Sequence, residues 1–187
     1  LRVASNEGMQ FSVAPIAWHT GDRGQKRRMS EKDANTDQTA DWIAMISTDR
    51  DIHAFAMRGA QTLDARDMSV EGDGESAVSR VTDLWSPNGG VPILACGGLF
   101  KAAYRKVPCL PMEGPLVQTP QVPNLYVVPG IAQEAPPAAT QGQETTIAGF
   151  LALNPGWDGV LCLPGRSTIW AEVSADEVVS FQSFLSG

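Results

Sequence analysis

The chain has 187 residues, a formal charge of -7, a calculated isoelectric point near 4.7 and 43% hydrophobic side chains. Phosphate neutralisation needs a clustered excess of Lys and Arg, so nucleic acid is set aside as a partner, and no apolar run is long enough to cross a bilayer. Leu1 to Ser12 lack a basic region followed by an apolar core, so the expectation is a cytoplasmic protein with no membrane partner.

The opening residues 1–38 read as a polar extension. Thr20 to Ala40 are rich in Gly, Asp, Lys, Arg, Gln and Asn and cannot bury enough surface to order themselves. The short basic run at Lys26, Arg27 and Arg28 is a solvated tail on this reading. Met29-Ser30-Glu31-Lys32 would be an ordinary start, which marks residues 1–28 as an upstream extension. The folded part is expected over residues 39–187.

From Trp42 the pattern becomes globular. Trp42 to Ser47 and Ile52 to Met57 are apolar runs joined by the polar turn Thr48-Asp49-Arg50-Asp51, which predicts a hairpin. Between Glu75 and Trp85, Ala77, Val78, Val81, Leu84 and Trp85 recur at helical spacing before the stop signal Ser86-Pro87-Asn88-Gly89-Gly90. Val91 to Cys96 is a continuous apolar run ending in Gly97-Gly98, as suits a strand covered on both faces. Leu125 to Val128 repeats that form before Pro129-Gly130. Gln143 to Leu153 predicts a second helix, Gly159 to Leu163 another buried strand, and Thr168 to Val173 with Val178 to Leu185 a final hairpin around Ala175-Asp176. Strands ending in Gly or Pro-Gly and interleaved with helices indicate an α/β domain with its working loops at the strand ends. No internal repeat is visible.

Cys96, Cys109 and Cys162 are odd in number, lack Cys-x-x-Cys spacing and sit in or beside apolar runs, which predicts buried, reduced thiols. His19 and His53 have no zinc-ligand spacing, so no metal site is expected from them.

Three ordered motifs carry a resemblance. Gln141-Gly142-Gln143-Glu144-Thr145-Thr146 resembles an Arg-Gly-Glu-Glu-Thr-Gln motif. Gly159 to Gly165, followed by Arg166-Ser167-Thr168-Ile169-Trp170, is similar to a strand and turn leading into Thr-His-Ser/Thr-Lys-Trp, and Val179 to Gly187 looks like a run into Met-Thr-Gly-Glu. The family so resembled is that of the 2-dehydro-3-deoxygalactonokinases, with coverage from about Thr39. The resemblance implies an α/β, ribonuclease-H-like domain of the actin-like ATPase class, with a mixed sheet and flanking helices. It also implies a small-molecule sugar acid and a nucleotide as partners, and ATP and Mg as cofactors. By the same comparison residues 39–187 would be the amino-terminal domain, with a second domain missing or a homo-oligomer in its place.

The resemblance implies phosphate-loop candidates at Ser47, Thr48 and Asp49, and substrate-binding candidates at Gly97, Gly98, Gln143, Glu144 and Arg166. No catalytic residue is assigned and no metal ligand. The chemically active positions depart from the family: Ile46 stands where an acidic residue organises metal, Thr48 where glycine lets amides approach phosphate, Gln141 where an Arg could pair with a carboxylate, and Ser167 and Ile169 where His and Lys are expected. Asp49 reads as a solvated turn residue or as a displaced metal ligand. Glu144 reads as a substrate contact or as a helix cap. The expected activity is phosphorylation of 2-dehydro-3-deoxy-D-galactonate, impaired or absent in this chain; the other reading is a ligand-binding or regulatory paralogue.

Overall fold

A computed structural model describes residues 2–4, 10–12, 40–48, 50–86, 90–100, 102–165 and 167–185. The expectation for residues 1–38 lies outside these, apart from Arg2–Ala4 (β1) and Gln10–Ser12 (β2), which pair antiparallel.

The chain is α/β with mixed sheets. β3 (Trp42–Ser47), β4 (Asp51–Arg58) and β5 (Gln61–Ser69) form an antiparallel meander, and β6 (Ile93–Gly97) then runs parallel to β3. β8 (Val117–Thr119) and β9 (Val122–Val127) complete six strands in the order β5-β4-β3-β6-β9-β8, with β9 parallel to β6. α1 (Gly74–Trp85) connects β5 to β6. Its N-cap is Asp73, whose carboxylate accepts the Ser76 amide and hydroxyl at 2.9 Å each, the arrangement that satisfies an otherwise orphan amide.

Alternation along the strands divides the sheet's side chains between two cores. Ile43, Met45, Ile52 and Ala54 face Ala77, Val78 and Val81 of α1, together with Ile93, Ala95, Leu125 and Val127. Trp42, Ala44, Met57, Leu94, Cys96 and Tyr126 point the other way, against Met112 and Leu116. Leu84, expected on the apolar stripe of α1, is half exposed. The 110–116 loop is held by Arg105, whose guanidinium donates to the carbonyls of Leu110, Pro111, Glu113 and Pro129 at 2.7 to 3.2 Å.

A third core joins the remaining elements. β7 (Arg105–Lys106) pairs parallel with β10 (Ile131–Glu134), which pairs antiparallel with β11 (Pro137–Ala139). α2 (Gln143–Leu153) packs Ile147 and Leu151 onto Ile169, Ala171, Val173, Val178 and Phe181 of β13 (Ser167–Ser174) and β14 (Glu177–Leu185). β12 (Gly159–Leu163) is the far edge of this β12-β13-β14 sheet. At β14, the Gln133 side chain accepts from the Phe181 amide at 2.9 Å and donates to its carbonyl at 3.1 Å, standing where a strand would pair.

Two expectations are corrected here. Gly159 to Leu163 is not covered on both faces: its burial alternates, Val160 is exposed, and Cys162 is an exposed thiol, whereas Cys96 and Cys109 are buried. An uninterrupted apolar run does not distinguish a two-faced strand from one whose outer face is also apolar.

The structure also holds an internal repeat that the sequence does not show. β12-β13-β14 copies the β3-β4-β5 meander: the second and third strands have 8 and 9 residues in both. Gly59-Ala60 and Ala175-Asp176 are two-residue turns at the same place, and the register slips at the seventh residue of the second strand, between Ala56 and Met57 in one and between Glu172 and Val173 in the other. Position for position from Asp51 to Ser69 and from Ser167 to Leu185, no residue is shared, because what is repeated is turn length and bulge position rather than side-chain chemistry.

Candidate functional site

The parallel strands β3, β6 and β9 end side by side, and strand ends of this kind are where open α/β sheets collect ligand-binding loops. Ser47 closes β3 and is buried; its hydroxyl donates to the Cys96 carbonyl at 3.3 Å and accepts the Leu99 amide at 3.1 Å. Gly97 closes β6 opposite Ser47, at φ +105°. A side chain there would run into the Ser47 backbone, so glycine is required by contact as well as by φ. Gly98 follows, exposed at the surface of the turn.

α2 brings its first residues to the same place. Gly142, its N-cap at φ +108°, stands within 3.7 Å of Gly97 and of the Cys96 sulfur, measured from where a Cβ would be. The Thr145 hydroxyl donates to the Gly142 carbonyl at 2.7 Å and lies 3.6 Å from that sulfur. Gln143 turns back, its Oε1 accepting the Gln141 amide at 2.6 Å.

Glu144 is 1% exposed and its carboxylate accepts the Gly142 amide at 3.1 Å. Burial pushes its pKa above the ordinary carboxylate range, opposed by hydrogen bonds from the Thr140 side chain and the local backbone and by the Arg105 charge. The Thr140 oxygen in turn accepts the Ile131 amide at 2.8 Å, tying β10 to the start of α2. The bond to the Gly142 amide is the contact that the capping reading of Glu144 calls for. Cys96 is buried beside this carboxylate, and desolvation raises its thiol to about 12.

The turn after β3 is less open than a phosphate cradle requires. Thr48 Oγ1 accepts the Arg50 and Asp51 amides at 3.3 and 2.9 Å and donates to the Asp51 carbonyl, which also takes the Thr48 amide. Three amides that could face an anion are thus consumed inside the hairpin. Ile46 packs with Trp42 and Ala44 in the core beneath and supplies no ligand. Among the described residues no three His, Cys, Asp or Glu side chains group closely enough to hold a metal ion. Asp49 and Arg166 lie outside the described residues.

The structure thus brings Ser47, Gly97, Gln143 and Glu144 into one cluster, with Thr48 at its rim. Sequence reading missed Thr140 and Arg105, which hold α2 and the 110–116 loop in place. Neither stands in a recognisable motif, and their roles arise from contacts over long sequence separations.

A family model for 2-keto-3-deoxy-galactonokinase matches residues 36–187. The chain belongs to the 2-keto-3-deoxy-galactonokinase family. It is 29% identical over 108 residues to a Rhizobium meliloti (strain 1021) protein named as a probable 2-dehydro-3-deoxygalactonokinase, a match covering 52% of this chain and 35% of that protein. Its fold is similar to that of a crystallised chain from Sinorhizobium meliloti assigned to the same kinase, with a TM-score of 0.69 and 22% identity. That likeness covers 77% of this chain and 53% of the other. This member of the 2-keto-3-deoxy-galactonokinase family therefore spans about a third of the curated relative and half of the solved one.

Proposed function

We propose that the chain forms part of the sugar-acid cleft of a ribonuclease-H-like, actin-like ATPase fold, and that phosphoryl transfer is impaired or absent in it. An antiparallel meander followed by two strands parallel to its first, with a helix between the third and fourth, supports this fold class. Family membership brings the reaction: transfer of the ATP γ-phosphoryl group to the 6-hydroxyl of 2-dehydro-3-deoxy-D-galactonate. ATP with Mg would supply the phosphoryl group and its charge neutralisation. The residues at the β3 turn do not fit that group, since the Thr48, Arg50 and Asp51 amides are already bonded. The repeat favours reading β12-β14 as the opening of a second unit like the first, rather than as the end of a single amino-terminal domain.

One observation carries the functional reading: an assembled strand-end cluster around Gly97 and Gly142 stands next to a hairpin closed on itself. It equally supports the second reading, a ligand-binding or regulatory paralogue, in which binding survives without turnover. Calorimetry with 2-dehydro-3-deoxy-D-galactonate, beside a coupled assay for ADP, separates the outcomes. Binding heat is expected without ADP release above the no-enzyme rate, and Ile46→Asp with Thr48→Gly leaves that rate unchanged. ADP release that depends on the sugar acid and is abolished by Gln143→Ala would overturn the impaired reading.

A further inference from the structure

The chain that leaves β6 at Gly97-Gly98 returns to the same edge of the sheet at Tyr104, beside Gly130, which follows the neighbouring strand β9. Tyr104 is 52% exposed, and its hydroxyl makes no hydrogen bond among the described residues. An exposed aromatic side chain on a loop is ordinary, so what singles this one out is how firmly it is seated.

A Cβ on Gly130 would come within 2.9 and 3.0 Å of the Tyr104 ring carbons Cε1 and Cδ1, and within 2.9 Å of the Thr140 carbonyl oxygen. The φ of Gly130 lies outside the left-handed region, so glycine is needed there for the contact alone. One edge of the ring lies down on this bare backbone while the rest of it stays in solvent. The next residue fixes the chain: the Arg105 amide donates to the Gly130 carbonyl at 2.9 Å, and its guanidinium donates to the Pro129 carbonyl at 2.9 Å. Thr140 is followed by Gln141 and Gly142, so the ring stands beside the start of α2 and the strand-end cluster.

A fixed aromatic ring, half open beside polar groups, has the composition of a small-molecule wall: its apolar surface takes carbon, and the polar groups set orientation. A wall already in place also spares the cost of ordering it on binding. In 2-dehydro-3-deoxy-D-galactonate, C3 is a bare methylene between the C2 ketone and the C4 hydroxyl, the only carbon of the compound without oxygen.

We propose that Tyr104 is a specificity-determining residue of the strand-end cluster, the open part of its ring taking the C3 methylene and disfavouring a ligand with a hydroxyl there. Such a hydroxyl would exchange water for a carbon surface. The proposal rests on the reading of the cluster as a sugar-acid site and deepens it to the feature of the compound that is recognised.

The test compares dissociation constants, by calorimetry, for 2-dehydro-3-deoxy-D-galactonate and for 2-dehydro-D-galactonate, which keeps the C3 hydroxyl. The chains are the parent, Tyr104→Ala, Tyr104→Phe and Tyr104→Gln, the last of which keeps a side chain over Gly130 without a ring; urea midpoints verify that each is folded. The parent should prefer the deoxy compound by about tenfold or more, within the range by which apolar sites reject an added hydroxyl. Tyr104→Ala and Tyr104→Gln should each reduce that preference to about threefold or less, and Tyr104→Phe should retain it. The preference is the decisive readout, because a merely displaced loop would weaken both ligands alike. No preference in the parent, an unchanged preference in the folded Ala or Gln variant, or its loss in Tyr104→Phe would overturn the proposal and leave the sugar-acid reading standing. Binding of neither compound by the folded parent would overturn both.

Discussion

Replacing Gly97 with alanine tests whether the strand-end cluster is held by direct backbone contact. The added Cβ would fall inside the van der Waals surface of the Ser47 carbonyl oxygen, with Ser47 Oγ at 2.6 Å and the carbonyl carbon at 2.8 Å. The two carbonyl atoms belong to the backbone and cannot swing aside as the hydroxyl could, so β3 and β6 must separate. Forcing φ +105° on an L-residue costs about 1 to 2 kcal/mol, and overpacking a well-filled site about 1 to 3 kcal/mol more. The sum, about 2 to 5 kcal/mol, is a large fraction of the stability usual for a domain. At a urea dependence of about 2 kcal/mol per molar, the unfolding midpoint should fall by about 1 to 2.5 M. Ser47→Gly should not rescue the variant, because the obstruction is mainly carbonyl rather than hydroxyl. A midpoint within about 0.3 M of the parent, or full rescue by Ser47→Gly, would refute the reasoning.

The buried Glu144 gives a signed pH dependence. Its folded pKa is raised, so the folded state holds this proton more tightly than the unfolded chain, and stability should decline as pH rises from about 4.5 through the folded value before levelling. Glu144→Gln should flatten that decline in urea midpoints taken at several pH values; an unchanged slope would show the carboxyl is not its source. Removing the Arg105 guanidinium with Arg105→Met strips donors from four carbonyls and should cost about 2 to 4 kcal/mol, with faster proteolysis between residues 110 and 116. A thiol reagent should modify Cys162 rapidly in the folded protein while Cys96, raised to about 12 and buried, stays unmodified until denaturant is added; mass spectrometry of the labelled peptides reads both.

The parts that were legible in the sequence are those whose signals are local. Gln143–Leu153 and Gly159–Leu163 form where patterning and Gly or Pro punctuation place them, and the Ala175-Asp176 turn lies between its strands. β5 was missed because Gln61–Ser69 mixes Thr62, Asp64, Arg66 and Asp67 among few apolar residues; as an edge strand it keeps its outer side in water. β7, β8, β10 and β11 are two to four residues long, too short for periodicity to register. Within the site, Gly97 was legible because it ends an apolar run, whereas Gly142 was read only as part of the motif that opens α2. The burial of Glu144 was not legible, because it depends on Thr140 and on β10 lying alongside.

The Gln133 side chain at β14 bears on colloidal behaviour. Acidic chains repel one another, but charge acts weakly at contact distance in physiological salt, whereas a bare strand edge attracts any other bare edge in hydrogen-bonding register. By filling both hydrogen-bonding positions of Phe181 with one amide, the chain interrupts that edge near its middle. An incoming strand would then find only fragments to pair with, too short to nucleate a shared sheet. Together with the Cys109 backbone, which pairs with Val178 on the same strand, this neutral residue of β10 guards β14 against the self-templated stacking from which fibrils grow.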